Sequence, residues 1–275
     1  MQNAFKALSK LFAVFTLVFS IITGTLEIPS QGTRYPEVSK DNIVLADAYF
    51  LSQDVTTDGN SWYFSCKTSL SKAKVEGIVH EEDNVNAIPE ELSSVGVSHI
   101  GGISYYDGKL YCAMEDSKVF EHPTLGVYDA ATLEYLESAP LSLEYQLKGC
   151  PWVAVDAERG YIYSSQRDNA PCLIVYDLTT YAFVKTIDLS QCVHKIQGGE
   201  MYGDMFYVST QEDGENIYRI NVLTGEVEFC FSQNLTDGSE AEGLTILATP
   251  DGAFIHTLDM GPLFVNAFFR HYAYE

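Results

Sequence analysis

A tight turn containing glycine recurs five times along the chain, with spacings of 43 to 52 residues, at Gly59, Gly108, Gly160, Gly203 and Gly252. Each turn joins two short runs of apolar, aromatic and β-branched residues, which suit the pleated surface of a β-sheet. A period of about 40 to 50 residues with four strands per unit is typical of the blade of a β-propeller. This repeat therefore predicts an all-β fold.

The second half of each unit also repeats, in "LGVYDAATLEYLESAPL", "LIVYDLTTYAFVKTIDL" and "IYRINVLTGEVEFCFS". In each, a strand ends in Asp or Asn, a turn containing Thr follows, and a further strand begins. Asp and Asn side chains bond to their own backbone in such turns, which fixes the hairpin. Each unit is therefore expected to be a four-stranded antiparallel sheet.

Five such units fit between about Asn42 and Glu275, which favours five blades. Six blades remain an alternative if the stretch from Val75 to Val95 contains a degenerate blade. The fifth unit has only three strands of its own and ends in "LFVNAFFRHYAY". We expect the N-terminal segment "NIVLADAYF" to supply the fourth strand and close the ring, which also removes exposed sheet edges.

The N-terminus has the pattern of a secretory signal peptide, assigned to residues 1–24. Lys6 and Lys10 precede an apolar run from Leu11 to Ile22. At about 1.5 Å per residue this run spans about 18 Å, less than the roughly 30 Å of a bilayer core. The alternative is a retained membrane anchor that extends to Ile28. We assign residues 25–41 to a linker and residues 42–275 to the propeller. We expect a secreted or otherwise extracytoplasmic protein with no stable membrane insertion after cleavage.

The net charge is −22, and the sequence has no basic patch. A protein of this charge repels phosphate backbones, so nucleic acid is excluded as a partner. An acidic surface favours solubility and attracts cations.

The chain has six cysteines, which an exported protein can oxidise, and no zinc-ligand spacing. Cys172 starts the third strand of the third unit and Cys192 follows the fourth. We therefore predict a Cys172–Cys192 disulfide, with Cys150–Cys192 as the alternative. Asn234 begins a glycosylation sequon, Asn-Leu-Thr.

Glycines also occupy equivalent places in the predicted innermost strands, at Gly101–Gly102, Gly198–Gly199 and Gly243. Glycine inside a strand marks a place where another group approaches the backbone closely. Crowding of the innermost strands around the propeller axis accounts for these glycines without a ligand, and a bound ligand is the alternative.

The repeats resemble those of secreted β-propellers of the YVTN and quinoprotein-like kind, which carry similar "vYD..T" hairpins. The segment "EAEGLT", Glu240–Thr245, is similar to the Glu-Gly-Leu segment of SdiA-regulated and phytase-like propellers, and more loosely to lactonase-type propellers. Lactonase-type propellers bind calcium with Glu, Asn and Asp that face the channel. The resemblance implies a calcium site to which Glu200 and Glu242 contribute, but the Asn and Asp ligands have no matched counterparts here.

Propeller geometry places two sets of loops on one rim, those entering the innermost strand and those joining the second and third strands. The candidate ligand-binding residues on this rim are Trp152, Arg167, Gln197 and Glu240. Trp152 is either an aromatic platform for a sugar ring or a packed rim residue. His99 is the candidate general base, although a structural hydrogen bond explains it equally well. Glu200 and Glu242 are the candidate calcium ligands, because carboxylates in a narrow channel need a partner or a cation.

Two functions fit these features. The first is a binding or interaction module whose channel-mouth rim holds a glycan, a peptide or a partner protein. The alternative is a calcium-dependent hydrolase of lactonase or phosphoesterase type, with its site at the central channel. The sequence contains no complete catalytic set, so catalysis stays open.

Overall fold

The computed structural model describes residues 34–44, 48, 50–116 and 118–274. The predicted signal peptide lies outside them. Within the described residues, strands β1 to β20 form five antiparallel sheets of four strands each.

In the first four blades the strands follow chain order from the innermost to the outermost, and in the fifth the outermost strand is β1. Blade 1 consists of β2 (Asp54–Thr57), β3 (Ser61–Ser65), β4 (Leu70–Lys74) and β5 (His80–Asn84). Blade 2 consists of β6 (His99–Tyr106), β7 (Lys109–Glu115), β8 (Thr124–Asp129) and β9 (Tyr135–Pro140). Blade 3 consists of β10 (Ala154–Asp156), β11 (Tyr161–Ser164), β12 (Ala170–Asp177) and β13 (Phe183–Val193). Blade 4 consists of β14 (Ile196–Tyr202), β15 (Met205–Thr210), β16 (Asn216–Asn221) and β17 (Val227–Ser232). Blade 5 consists of β18 (Glu240–Ile246), β19 (Ala253–Met260), β20 (Asn266–Ala273) and β1 (Glu37–Val44).

The innermost strands contact one another in a closed cycle, so the five sheets form a five-bladed β-propeller. The prediction of five blades is confirmed. The stretch Val75–Val95 does not contain a sixth blade. It contains a 3₁₀ turn (Glu76–Ile78), the outermost strand β5 and a short helix, α1 (Glu90–Ser93).

The ring is closed by the N-terminal strand, as predicted. Strand β1 pairs antiparallel with β20, and begins at Glu37, within the segment assigned to the linker. An ion pair and a hydrogen bond fasten it to β20. Arg270 Nη1 lies 3.2 Å from Glu37 Oε2, and His271 Nε2 lies 3.0 Å from Asp41 Oδ2.

The repeated Asp/Asn turns form the predicted side-chain bonds in three blades. Asp129 Oδ1 accepts hydrogen bonds from the N–H groups two and three residues later, at 2.9 Å each. Asp177 and Asn221 do the same in blades 3 and 4. The chain then needs a positive φ four residues after the Asp or Asn, where Gly225 has a φ of 75°.

Apolar side chains fill the spaces between adjacent blades. Among the described residues there are five buried clusters, one at each interface between neighbouring blades. The alternation of side chains along each strand turns both faces of a blade toward its neighbours. The core is therefore a ring of five inter-blade layers, which holds the innermost strands close to the axis.

Neither predicted disulfide is present, and all six cysteines, each within the described residues, are free thiols. In the regular part of the pairing of β12 with β13, Cys172 lies opposite Asp188, four residues before Cys192. The Cys150 thiol is instead buried, 3.4 Å from Ser164 Oγ.

Within the described ranges, no helix has the length and apolar character that crossing a membrane requires.

Candidate functional site: the channel mouth

Each innermost strand pairs with the second strand of its blade, and this register aligns the five innermost strands with one another. The alignment defines three successive rings of residues around the axis. The lower ring is the set paired with Tyr63, Tyr111, Tyr163, Tyr207 and His256, namely Thr56, Ser104, Ala154, Glu200 and Thr245. The plug ring lies two residues earlier along the chain in each blade and consists of Asp54, Gly102, Trp152, Gly198 and Gly243. The mouth ring lies one residue earlier again and consists of Gln53, Gly101, Pro151, Gln197 and Glu242.

Asp54 fills the channel at the plug ring. Its side chain lies against three glycines, because a Cβ added at Gly102, Gly198 or Gly243 would meet the Asp54 carboxylate. Asp54 Oδ2 accepts a hydrogen bond of 2.7 Å from the Ile103 N–H. Close approach of this side chain from blade 1 thus explains these three glycines, as the packing interpretation predicted. Gly101 is explained by close approach of the Pro151 carbonyl, and Gly199 by the Tyr207 carbonyl and the Phe206 ring.

The buried carboxyl group of Asp54 is held in a poorly solvated place. Burial raises its pKa well above the usual range, with a smaller raising effect from Glu200. The N–H groups of Ile103, Val55 and Leu244 act in the opposite direction. No hydrogen bond of good geometry reaches Asp54 Oδ1 in the described part of the chain. Asp54 therefore closes the floor of the channel mouth.

Glu200 lies on the other side of this plug, in the lower ring. Its Oε2 accepts hydrogen bonds from Thr56 Oγ1 at 2.9 Å and from Thr245 Oγ1 at 3.3 Å. Burial raises the pKa of Glu200 to about 7, while the two hydroxyl groups lower it.

We expect Glu200→Gln to remove a pH dependence of stability. Because the folded pKa is raised, the folded state holds a proton that the unfolded chain, with a pKa of about 4.3, releases. The wild type should therefore lose stability relative to the variant as the pH rises from about 5 to 8, on the order of 2 kcal/mol. Urea unfolding of both proteins across this range measures the difference. A difference that does not change with pH would contradict the assignment.

Above the plug, a cavity of about 90 Å³ opens at the channel mouth. It is lined by Gln53, His99, Gly101, Glu115, Pro151, Arg167, Gln197, Gln211, Glu240 and Glu242. The lining contains all five residues of the mouth ring. His99 and Glu240 begin two of the innermost strands, and Glu115, Arg167 and Gln211 lie at or after the ends of three second strands. The two sets of loops therefore do share one rim, as the propeller geometry predicted.

His99 and Glu115 form one wall of this cavity. His99 Nε2 lies 2.7 Å from Gln53 Oε1, and the Gln53 amide nitrogen donates to the Ser52 carbonyl. Gln53 Oε1 is then the acceptor and His99 Nε2–H the donor, which leaves Nδ1 without a proton in the neutral ring. Burial lowers the pKa of His99 to about 4, with smaller effects from Lys67 and Arg167. His99 is therefore neutral at pH 7 and a weak base there.

Glu115 is seated by the chain that leads into blade 3. Its Oε2 accepts a hydrogen bond of 2.7 Å from the Cys150 N–H. The preceding residue has to be glycine, because Gly149 has a φ of 87° and an added Cβ would overlap Glu115 Oε2. Glu115 Oε1 lies 3.9 Å from His99 Nδ1. Burial raises the pKa of Glu115, while Cys150 and Arg167 lower it.

Glu242 brings a carboxyl group and Arg167 a guanidinium to the cavity, and the two do not form an ion pair. Glu242 is 5% exposed, and no hydrogen bond from the described residues reaches its carboxylate. Burial raises the pKa of Glu242 well above the usual range, and Glu240 and Asp54 raise it further, while Arg167 lowers it. Arg167 is half-buried, and its guanidinium forms no ion pair or side-chain hydrogen bond with the described part of the chain.

Five of the residues singled out from the sequence therefore meet in one cavity, namely His99, Arg167, Gln197, Glu240 and Glu242. Trp152 does not join them. It is fully buried between blades 3 and 4, where its ring packs on Phe206 at 4.7 Å and Nε1 donates to Ser165 Oγ at 3.1 Å. The aromatic-platform hypothesis is therefore wrong for Trp152, and the packing alternative is correct.

The two candidate calcium ligands lie on opposite sides of Asp54, with Glu242 in the mouth ring and Glu200 in the lower ring. Within the described ranges, no group of three or more His, Cys, Asp or Glu side chains is arranged to hold a metal ion. Asn234 lies half-buried in the loop after β17, and its glycosylation stays a prediction.

Three polar residues that line the cavity, Gln53, Glu115 and Gln211, were not among the candidate site residues predicted from the sequence. Gln211 occupies the same position after the second strand as Glu115 and Arg167, four residues beyond the tyrosine of its lower-ring pair. A column-by-column alignment of the five units would have identified it. The same alignment shows Asp54 in a column that holds glycine in three other units, which marks it as the plug.

No protein-family model matches this chain, and no curated protein matches it. Solved structures are similar to parts of it. Hydrazine synthase of Kuenenia stuttgartiensis is 14% identical, with 77% of this chain and 56% of that chain covered and a TM-score of 0.46. The computationally designed Ika8 protein is 13% identical, with coverages of 80% and 57% and a TM-score of 0.39. The WD40 repeats of RRP9 are 11% identical, with coverages of 84% and 62% and a TM-score of 0.48.

This chain thus spans less than two thirds of the length of each of these structures. Such low identities bear on the fold alone. The sheet order and the cycle of innermost strands identify the chain as a five-bladed β-propeller.

Proposed function

We propose that this chain is a secreted, acidic binding module whose ligand enters the cavity at the channel mouth. The observation that carries the proposal is the buried carboxyl group of Glu242 and the guanidinium of Arg167, which line one cavity and have no ion-pair partner among the described residues. A buried carboxyl group without a partner is costly to ionise, so a ligand group that pairs with it is favoured. Secretion is proposed from the N-terminal pattern of residues 1–24 alone.

The size of the cavity limits what enters it. A water molecule needs roughly 10 to 15 Å³ of such a cavity, so about 90 Å³ holds several waters or one small polar group. The Asp54 side chain fills the channel below the mouth ring, which prevents deeper entry. The occupant is therefore a small molecule, or the polar end or side chain of a glycan, peptide or protein partner that rests on the rim.

Arg167→Ala tests the proposal before the ligand has been identified. We expect a thermal-shift panel of sugars, amino acids, short peptides and organic acids to contain at least one compound that raises the Tm of the wild type. A ligand that binds the folded state stabilises it by mass action. That shift should disappear in Arg167→Ala and in Glu242→Gln, because both side chains line the cavity.

Lys118→Ala is the matched control, because Lys118 lies in a different surface groove, near His122. It should keep every shift. If all stabilising compounds act equally on the wild type and on both cavity variants, the ligand site is elsewhere and the proposal is wrong. Calcium belongs in the same panel. A calcium-dependent shift that Glu242→Gln abolishes would favour the hydrolase hypothesis instead.

A further inference from the structure

We infer that the group bound in the mouth cavity is the zwitterionic head of a free α-amino acid, with its ammonium beside Glu242 and its carboxylate beside Arg167. This inference rests on the proposed function, because it names the ligand of the same cavity.

Arg167 is set apart from the other arginines in the described residues. Arg159, Arg219 and Arg270 each form an ion pair with a carboxylate, and Arg34 lies over the Tyr274 ring. In a chain with 38 acidic and 16 basic residues, an arginine beside acidic side chains would be expected to pair. Arg167 instead interacts electrostatically with residues that line the cavity, and lowers the pKa values of Glu115, Glu242 and His99.

Glu242 is the acidic counterpart. It is almost fully buried, has no hydrogen bond within the described ranges, and lines the same cavity. It interacts electrostatically with Arg167 but does not form an ion pair with it. The carboxyl group and the guanidinium therefore line one cavity without pairing with each other. Glu240 adds a second carboxylate to the Glu242 side of the cavity.

A ligand with a single charge satisfies only half of this arrangement. An ammonium alone leaves Arg167 unpaired and repels it, and a carboxylate alone supplies no cation to the buried carboxyl group of Glu242, which then stays costly to ionise. An uncharged hydroxyl group gives neither Arg167 nor Glu242 a counter-ion. The amino-acid head carries both charges on one carbon atom, and its few atoms fit a space of about 90 Å³.

Amide groups complete the recognition. Gln197 Nε2 donates to Gln211 Oε1 at 2.9 Å, which fixes the orientation of both side chains. The Gln211 amide nitrogen has no hydrogen bond to the described residues, and remains a donor for a carboxylate at the cavity wall. The side chain of the amino acid would extend out of the mouth toward the rim.

Isothermal titration calorimetry with glycine tests this inference, because glycine is the head group alone. We expect glycine and L-alanine to bind the wild type. Glycinamide keeps only the positive charge and acetate only the negative charge, and each should bind at least about tenfold more weakly, since tenfold corresponds to about 1.4 kcal/mol. Glycylglycine separates the two charges by a peptide unit, so weaker binding of this dipeptide distinguishes a free amino acid from a chain end.

Variants locate the binding. Arg167→Gln and Glu242→Gln should each weaken glycine binding at least about tenfold, since removing one member of a charge contact is costly. Lys148→Gln is the control, because Lys148 is 58% exposed and pairs with Asp168 outside the cavity lining. It should bind glycine as the wild type does. Cooperative thermal unfolding of all three variants confirms that they are folded.

The outcomes separate the two proposals. Binding of acetate or glycinamide as tight as that of glycine, and lost in either variant, overturns the amino-acid head and keeps the mouth site. Tighter binding of glycylglycine than of glycine also overturns the amino-acid head and keeps the mouth site. It would indicate that the ligand is the end of a peptide chain. Glycine binding that neither variant weakens overturns both proposals. Failure of glycine and L-alanine to bind overturns the amino-acid head, while the wider panel still decides the mouth site.

Discussion

Replacing Gly243 with alanine is expected to cost more than about 3 kcal/mol of unfolding free energy and to leave little folded protein at 37 °C. The added Cβ would overlap Oδ1 and Cγ of Asp54 and lie 2.8 Å from the Asp54 Cβ. The Asp54 side chain cannot move away from the added Cβ, because Gly102 and Gly198 contact it from other blades and the Ile103 N–H donates a hydrogen bond to Oδ2. Overpacking a rigid core usually costs about 1 to 3 kcal/mol, and this clash also involves backbone-proximal atoms.

Urea unfolding followed by fluorescence measures this loss, because Trp62 and Trp152 are both buried. Gly126→Ala is the control. A Cβ at Gly126 meets the Met114 thioether, a flexible group that can move, so this variant should lose less stability. Asp54→Gly combined with Gly243→Ala should be more stable than Gly243→Ala alone, since the clash has been removed. Equal losses for the Gly243 and Gly126 variants would show that Asp54 is not a rigid plug.

The plug illustrates how far sequence reasoning reached. The repeated Gly turns and Asp/Asn turns are local signals, and each repeats in register, so blade number and ring closure followed from them. The inner-strand glycines predicted crowding at the axis. They did not show which group fills the space, because that group, Asp54, comes from a unit distant in sequence.

The site could be predicted in part for the same reason. Rim position depends on strand order alone, and this placed His99, Arg167 and Gln197 in one cavity. Side-chain direction depends on packing between blades. Trp152 occupies the column of Asp54 and the glycines, yet its ring lies on Phe206, which no pattern within blade 3 indicates. The disulfide prediction assumed that the hairpin places Cys172 beside Cys192, whereas the register sets Cys172 opposite Asp188.

Replacing Arg270, which lies at the ring closure, is expected to cost nearly as much unfolding free energy as Gly243→Ala. Arg270 neutralises the buried carboxylate of Asp259 in blade 5. Arg270 Nε lies 2.6 Å from Asp259 Oδ1, and Asp259 is completely buried. Arg270 also pairs with Glu37 on β1, the strand that closes the propeller. Burial raises the pKa of Asp259, and the guanidinium lowers it. Arg270→Met therefore leaves Asp259 buried without a counter-charge, at a cost of about 3 to 5 kcal/mol.

The exposed pair Arg219–Glu228 provides the matched comparison. Glu228 is 41% exposed, so after Arg219→Met water can solvate its carboxylate, and the loss should stay near 1 kcal/mol. Replacing both buried partners, as Arg270→Met with Asp259→Leu, should recover part of the loss, because no unpaired charge remains. Urea unfolding of the four proteins measures these differences. If Arg270→Met costs no more than Arg219→Met, the closing strand is held by its backbone ladder with β20 and by apolar packing, and the buried ion pair contributes little to closure.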